Sequence, residues 1–259
     1  MTIKNLLKAE ITMLWGELKQ YGLNTLFYNL GMLVVFVGLF MTVKDSKSGM
    51  DILFGLVMWQ ISSGAIGYLG YVIEDEAMLG TLEQIFMTRT SIFKVFFSKA
   101  AVNCIFGIVK AYLLFFICVL VFGVQGEIVA LGFERNLYIF FIILAVEISF
   151  YMVGLMFGGM ALFFKRVSNV VQLLTYVMLF FTNITTPVSE TPQWVQVIST
   201  FVPIRWAMEI IRSITAGSPV VMEDTLYFAT SIGCYCVIGV ITFLFSVNIA
   251  KEKGKLAGY

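Results

Sequence analysis

Histidine is absent from this chain of 259 residues, and charged residues make up only 13% of it. The first absence removes the commonest general base and the commonest metal ligand. No cluster of carboxylates or cysteines takes its place, so neither a catalytic constellation nor a metal site is expected, and a membrane enzyme is disfavoured. The four cysteines, Cys104, Cys118, Cys234 and Cys236, lie inside apolar runs and read as small hydrophobes. Cys234 and Cys236, two apart, point to different faces of a helix. A Gly-x-x-x-x-Gly-Lys-Ser/Thr phosphate loop is also missing, so this chain binds no ATP by that device. A net charge of +1 gives no footing for nucleic acid.

The scarcity of charge is matched by an excess of apolar residues, 59% of the chain against about half in ordinary globular domains. That imbalance implies lipid. Runs of roughly 20 residues are needed to cross about 30 Å of hydrocarbon. Such runs fall near 23–43, 51–72, 100–122, 137–164, 168–185 and 226–249, and little outside them could build a second core. The expected fold is an all-α polytopic membrane protein of six spans, one permease-like domain over 1–259. Residues 1–21 lack the continuous apolar core of a signal peptide. Ile3, Leu6, Leu7, Ile11, Leu14, Trp15 and Leu18 recur there at helical spacing, opposite Lys4, Lys8, Glu17 and Lys19, as in a helix lying in the membrane interface. An ordinary helix packed on protein is the alternative. Residues 186–214 contain Pro187, Pro192 and Pro203 among many apolar side chains, which suggests a re-entrant pair of short helices rather than a crossing.

Orientation follows from the bias of basic residues to the cytoplasmic side. With the N-terminus inside, Lys4, Lys8, Lys19, Arg89, Lys94, Lys99, Lys165, Arg166, Lys251, Lys253 and Lys255 are cytoplasmic, and Lys44, Lys47, Arg135, Arg205 and Arg212 are external. Eleven against five favours both termini inside a plasma membrane, with a bacterial one expected. The Asn183-Ile184-Thr185 sequon sits at the mouth of a span and is read as chance. Gly154 and Gly158 form a Gly-x-x-x-Gly pair, and Ser63, Gly64, Gly67 and Gly70 line the second span; such faces serve contacts within one chain or a dimer seam equally well.

Two full charges lie well inside the spans. Lys110 is eleven residues past Lys99, about 16 Å deep, and Glu147 about ten residues into its span, so their depths coincide near the midplane. An isolated charge there costs at least about 3 kcal/mol, which leaves an internal tie between two spans or a polar feature of a transport path. Arg205, Glu209 and Arg212 fall at i, i+4 and i+7 on one face, a column that could form an outer gate or be merely a stabilised helix.

The connection over 73–99 is the most informative stretch. Three acids, Glu74, Asp75 and Glu76, precede Gly80, a helix breaker, and Thr81, a plausible N-cap for a short helix with Leu82, Ile85 and Phe86 on one face. An apolar face on a short helix outside the spans reads as a docking element. The stretch Glu76…Gly80-Thr81-Leu82-Glu83-Gln84-Ile85-Phe86 resembles that of the ABC type-2 permease family, in which a Glu is followed by Gly-Thr-Leu-Glu-Gln after the second span. Where that family continues with Thr-Pro, this chain has Thr88-Arg89. The amphipathic N-terminus, the six-span length and the Pro-led segment from Val202 to Arg212 are similar to the family as well. The resemblance implies the membrane subunit of an ATP-driven exporter. It further implies a second permease copy, as homodimer or heterodimer, and ATPase subunits that supply ATP and Mg chemistry and dock on Glu76 and Gly80 to Phe86.

Other functions compete with that expectation. A sensor or immunity subunit would also hold an ATPase. An ion-coupled carrier would use Lys110 and Glu147, yet paired Gly/Pro-interrupted spans in two matching halves are missing. Substrates left open are amphipathic drugs, peptides, lipids and glycolipids; 25 Phe and 14 Met suit an apolar path with adaptable walls.

Overall fold

A computed structural model describes residues 2–45, 48–164, 166–182 and 191–252. The described residues form helices α1 (Ile3–Val43), α2 (Gly49–Met78), α3 (Thr81–Met87), α4 (Ile92–Phe122), α5 (Gln125–Phe164), α6 (Ser168–Phe181), α7 (Gln193–Thr200), α8 (Pro203–Ala216) and α9 (Met222–Glu252). Five of them, α1, α2, α4, α5 and α9, are long and apolar enough to cross a membrane. The chain is an all-α polytopic membrane protein.

The expected fifth crossing, 168–185, corresponds to α6. Its 14 residues rise about 21 Å, about two thirds of the hydrocarbon thickness, and residues 183–190, with the sequon and Pro187, lie outside those described. The first 21 residues are continuous with the first span, and the helical geometry breaks at Tyr21 (φ −116°, ψ 24°). Beyond it, residues 23–43 are 21 residues, about 32 Å of helix. A second break occurs at Gly132 (φ 76°, ψ 168°), a left-handed value that only glycine adopts cheaply. It leaves Gln125–Leu131 as a short segment bent away from the rest of α5. Asn136 fixes the bend by donating to the carbonyls of Ile128 (3.1 Å) and Gly132 (2.8 Å).

α2 is the centre of the bundle. It packs most extensively on α5, which packs in turn on α9, while α1 and α4 lie on one flank and α6 on another. Glycine decides these contacts, because helices in lipid associate by close packing rather than by hydrophobic expulsion. Gly154 meets the backbone of Ala65 and Ile66, and Gly158 meets Leu69 and Ile73, so the Gly-x-x-x-Gly face is used inside the chain. Gly64 lies on the other side of α2, exposed, with nothing near it. Trp59 ties α2 to α6 through a hydrogen bond from Nε1 to the Thr175 carbonyl (3.0 Å). Phe40 and Phe122 stack at 3.7 Å between centroids and join α1 to α4 at the end of the bundle opposite α3.

Pro203 occupies the first turn of α8, where its missing N–H is harmless. α8 buries Ile204, Trp206, Ala207, Met208, Ile210 and Ile211 against α5, α9 and α2. α7, by contrast, leaves Trp194, Val197 and Ile198 exposed, and Phe201 just past its end is exposed as well.

Candidate functional site

α2 does not stop at its acids but continues through them to Met78, and each carboxylate goes a different way. Glu74 turns toward α6, accepting hydrogen bonds from the backbone N–H of Val167 (3.2 Å) and Ser168 (3.3 Å) and from the Ser168 hydroxyl (3.4 Å). It therefore caps the N-terminus of α6 with a charge from another helix, a favourable place for an anion. Glu76 turns toward α4, pairing with Lys99 at 3.4 Å. Lys99 also reaches Glu10 of α1 at 3.7 Å, so one buried ammonium clamps the N-terminal part of α1, the end of α2 and the start of α4. Asp75 faces a cleft of about 510 Å³ between these elements, together with Glu17, Tyr68 and Asn103.

The short helix that follows differs from expectation at its start. Gly80, with φ 71°, is the N-cap, and Thr81 is the first helical residue. Its hydroxyl points back to the Glu76 carboxylate and carbonyl instead of capping forward, because the acid of the preceding turn is the stronger acceptor. α3 ends at Met87, where Thr88 is extended (φ −70°, ψ 152°), so Thr88-Arg89 stops the helix as Thr-Pro would.

The face that looked like a docking surface is turned inward. Leu82 is 4% exposed and joins the main core, Phe86 packs against it, and Ile85 is half-buried. Leu82 thus anchors α3 within its own chain. What α3 and its turn present outward is Met78, Leu79, Gln84 and Met87, with Leu79 76% and Met87 82% exposed. Glu83 is half-buried.

Lys110 and Glu147 each have other neighbours. Among the described residues no ion pair within 4.0 Å joins them, and the Lys110 ammonium lies 4.9 Å over the Phe106 ring. Glu147, 1% exposed, sits against Gly107 and takes a hydrogen bond from Cys104, while its Oε2 has no partner. Its neighbour one turn on, Tyr151, donates to Asn103 Oδ1 at 3.1 Å. Asn103 lines the cleft that holds Glu10 and Glu76. A polar seam therefore runs along α4 and α5 from the Lys99 clamp to the middle of the bundle. The ring offsets only part of the cost of placing an unpaired ammonium at this depth, so Lys110→Met is expected to leave stability unchanged or to raise it. It should not rescue whatever Glu147→Gln does; mutual recovery in the double variant, read as melting temperature in detergent, would show that the two pair after all.

The Arg205–Glu209–Arg212 column is divided between partners. Arg205 donates to Ser199 Oγ (2.7 Å), the Gln196 carbonyl (3.2 Å) and Thr200 Oγ1 (3.3 Å), bracing α7 on α8, and its guanidinium lies over Trp206. Arg212 pairs with Asp51 of α2 and with Glu209, both at 3.4 Å.

Comparison with known proteins places this architecture. The profile of the ABC-2 type transporter family matches residues 1–215. The chain belongs to the ABC-2 type transporter family. No curated protein matches it. The matched range takes in the clamp, α3, the polar seam and most of α8. The chain is thus a transmembrane subunit of an ABC transporter, a multi-pass permease whose family domain is the membrane component and not itself the ATPase.

Sequence reasoning names Glu74 and Lys99 without their partners and leaves out Glu10. Lys99 had counted only as a topogenic charge, although a lysine and two acids at the ends of three neighbouring apolar helices are the signal for such a clamp.

Proposed function

We propose that this chain forms the pathway of an ABC exporter and takes its power stroke from a separate ATPase that docks on α3. A second permease copy, as homodimer or heterodimer, completes the route, and ATP and Mg act through the partner. Both termini are cytoplasmic, six spans cross the plasma membrane with α6 as the fifth, α1 begins as an interfacial helix, and α7 with α8 forms the external re-entrant segment. The cargo is an amphipathic drug, peptide, lipid or glycolipid. The observation that carries this reading is α3 itself: a seven-residue helix anchored inward by Leu82 that offers Leu79 and Met87 to a partner. Any push on it passes to α1 and α4 through Lys99, and to α6 through Glu74.

Two variants test the docking. Leu79→Asp with Met87→Asp alters exposed positions and is expected to leave melting unchanged while weakening ATPase association about tenfold or more, since apolar anchors dominate such interfaces. Leu82→Asp places a charge in the chain's own core and is expected to cost several kcal/mol of stability. Full ATPase binding and transport in the Leu79/Met87 variant would remove α3 as the docking element.

A further inference from the structure

At the end opposite α3 lies a second cleft, of about 470 Å³, between the start of α2, the bent first segment of α5 and the end of α8. Four of its lining residues carry charge: Asp51, Glu127, Arg135 and Arg212. Arg212 and Asp51 neutralise each other at 3.4 Å, with Glu209 on the same guanidinium. Glu127 and Arg135 are different. Neither has an ion-pair partner among the described residues, although both line the same cleft.

The bend at Gly132, locked by Asn136, lies between them in the chain. Arg135 lies over Gly217, close enough that a β-carbon there would sit 3.6 Å from Nη1. The cleft thus offers one cation and one anion that are left to be satisfied from outside. Its walls are helix ends, so it sits at the level of lipid headgroups, and beside it Val129 and Phe133 are 79% and 81% exposed, as lipid contacts would be.

We propose that this cleft binds the phosphoethanolamine headgroup of a membrane phospholipid. The guanidinium of Arg135 meets the phosphodiester through charge-assisted N–H donors, the arrangement for which arginine is suited. The carboxylate of Glu127 accepts from the primary ammonium, which has three N–H donors; a quaternary choline has none to give. An anionic glycerol headgroup would lack the cation and set its phosphate field against Glu127. Selection of phosphoethanolamine over both follows, and it depends on neither the direction of transport nor the docked ATPase.

The full chain, purified and equilibrated with an equimolar mixture of phosphatidylethanolamine, phosphatidylcholine and phosphatidylglycerol, tests this by native mass spectrometry of the retained lipid. The expected result is about tenfold enrichment of phosphatidylethanolamine. Glu127→Gln should bring the ethanolamine-to-choline ratio to about one while lipid is still retained, and Arg135→Gln should remove retention of both. Both side chains are exposed, so both variants should fold, as unchanged melting will verify. A bath-like lipid ratio on the parent protein, or enrichment indifferent to both substitutions, overturns the site. Binding of soluble glycerophosphoethanolamine without retention of the lipid overturns a lipid as its source.

Discussion

Replacing Gly154 with leucine is expected to abolish recovery of monodisperse protein, and replacing it with alanine to lower the melting temperature clearly. A β-carbon at this position would sit 2.7 Å from the Ala65 carbonyl oxygen and 3.3 Å from that of Ile66. Backbone atoms cannot rotate aside, so α2 and α5, the most extensive contact in the bundle, must separate. Overpacking of this kind costs about 1–3 kcal/mol or more, whereas the gain in helix propensity from Gly to Ala is about 1 kcal/mol at most. The clash wins. Gly158 should be more forgiving, because the nearest obstacle to a β-carbon there is the flexible tip of Ile73 at 2.9 Å. Gly64, on the same α2 but with nothing within 4 Å, is the control, and Gly64→Ala should melt like the parent. The order Gly154, Gly158, Gly64 in decreasing sensitivity is the measurable outcome; equal sensitivity at all three would mean that this face of α5 does not pack on α2.

These glycines show what the sequence makes legible and where it stops. Their spacing reveals that a backbone approaches closely, but not whose; only the packed bundle assigns Gly154 to α2 and leaves Gly64 open. The same ambiguity applies to α3. Leu82, Ile85 and Phe86 declare a face that must be covered, and nothing in their spacing tells whether the cover is the chain's own core or a partner. Five of the six expected crossings are legible because length and hydropathy bear on them directly. Depth along a helix follows in the same way from residue count times rise, which is the basis for expecting Lys110 and Glu147 at one level. Rotation about the helix axis is not, since tertiary packing sets it, and it turns Glu147 onto Cys104 and Gly107, while Lys110 lies over Phe106, its own neighbour one turn back on α4. The partner of Glu74 is hidden for a related reason: an acid at a helix end reads as solvated until a second helix, α6, is seen to begin at its carboxylate.

Lys99→Met is expected to be the most damaging of the charge substitutions. Lys99 is 8% exposed and holds Glu76 at 3.4 Å and Glu10 at 3.7 Å, and the Glu76 carboxylate also receives the Thr81 hydroxyl. Methionine preserves most of the volume and removes the charge, leaving two carboxylates facing each other in a cleft that already contains Glu17 and Asp75. Removing one member of a buried ion pair costs about 3–5 kcal/mol, because the survivor stays buried and unpaired. Here the cost should fall below that range, since the carboxylate side chains keep 17% and 19% of their exposure and so some access to water. A loss of about 2–3 kcal/mol is expected, seen as a clear drop in melting temperature that salt restores only in part, because buried charges are weakly screened. Lys99→Met combined with Glu10→Gln and Glu76→Gln should regain most of the stability, as the harm lies in the unbalanced acids and not in the missing amine. The triple variant separates fold from function: it is expected to be stable and yet to transmit ATP hydrolysis poorly, because α1, α2 and α4 are no longer joined by charge at the root of α3. A single Lys99→Met that melts like the parent would show that the N-terminal part of α1 is not held at this point.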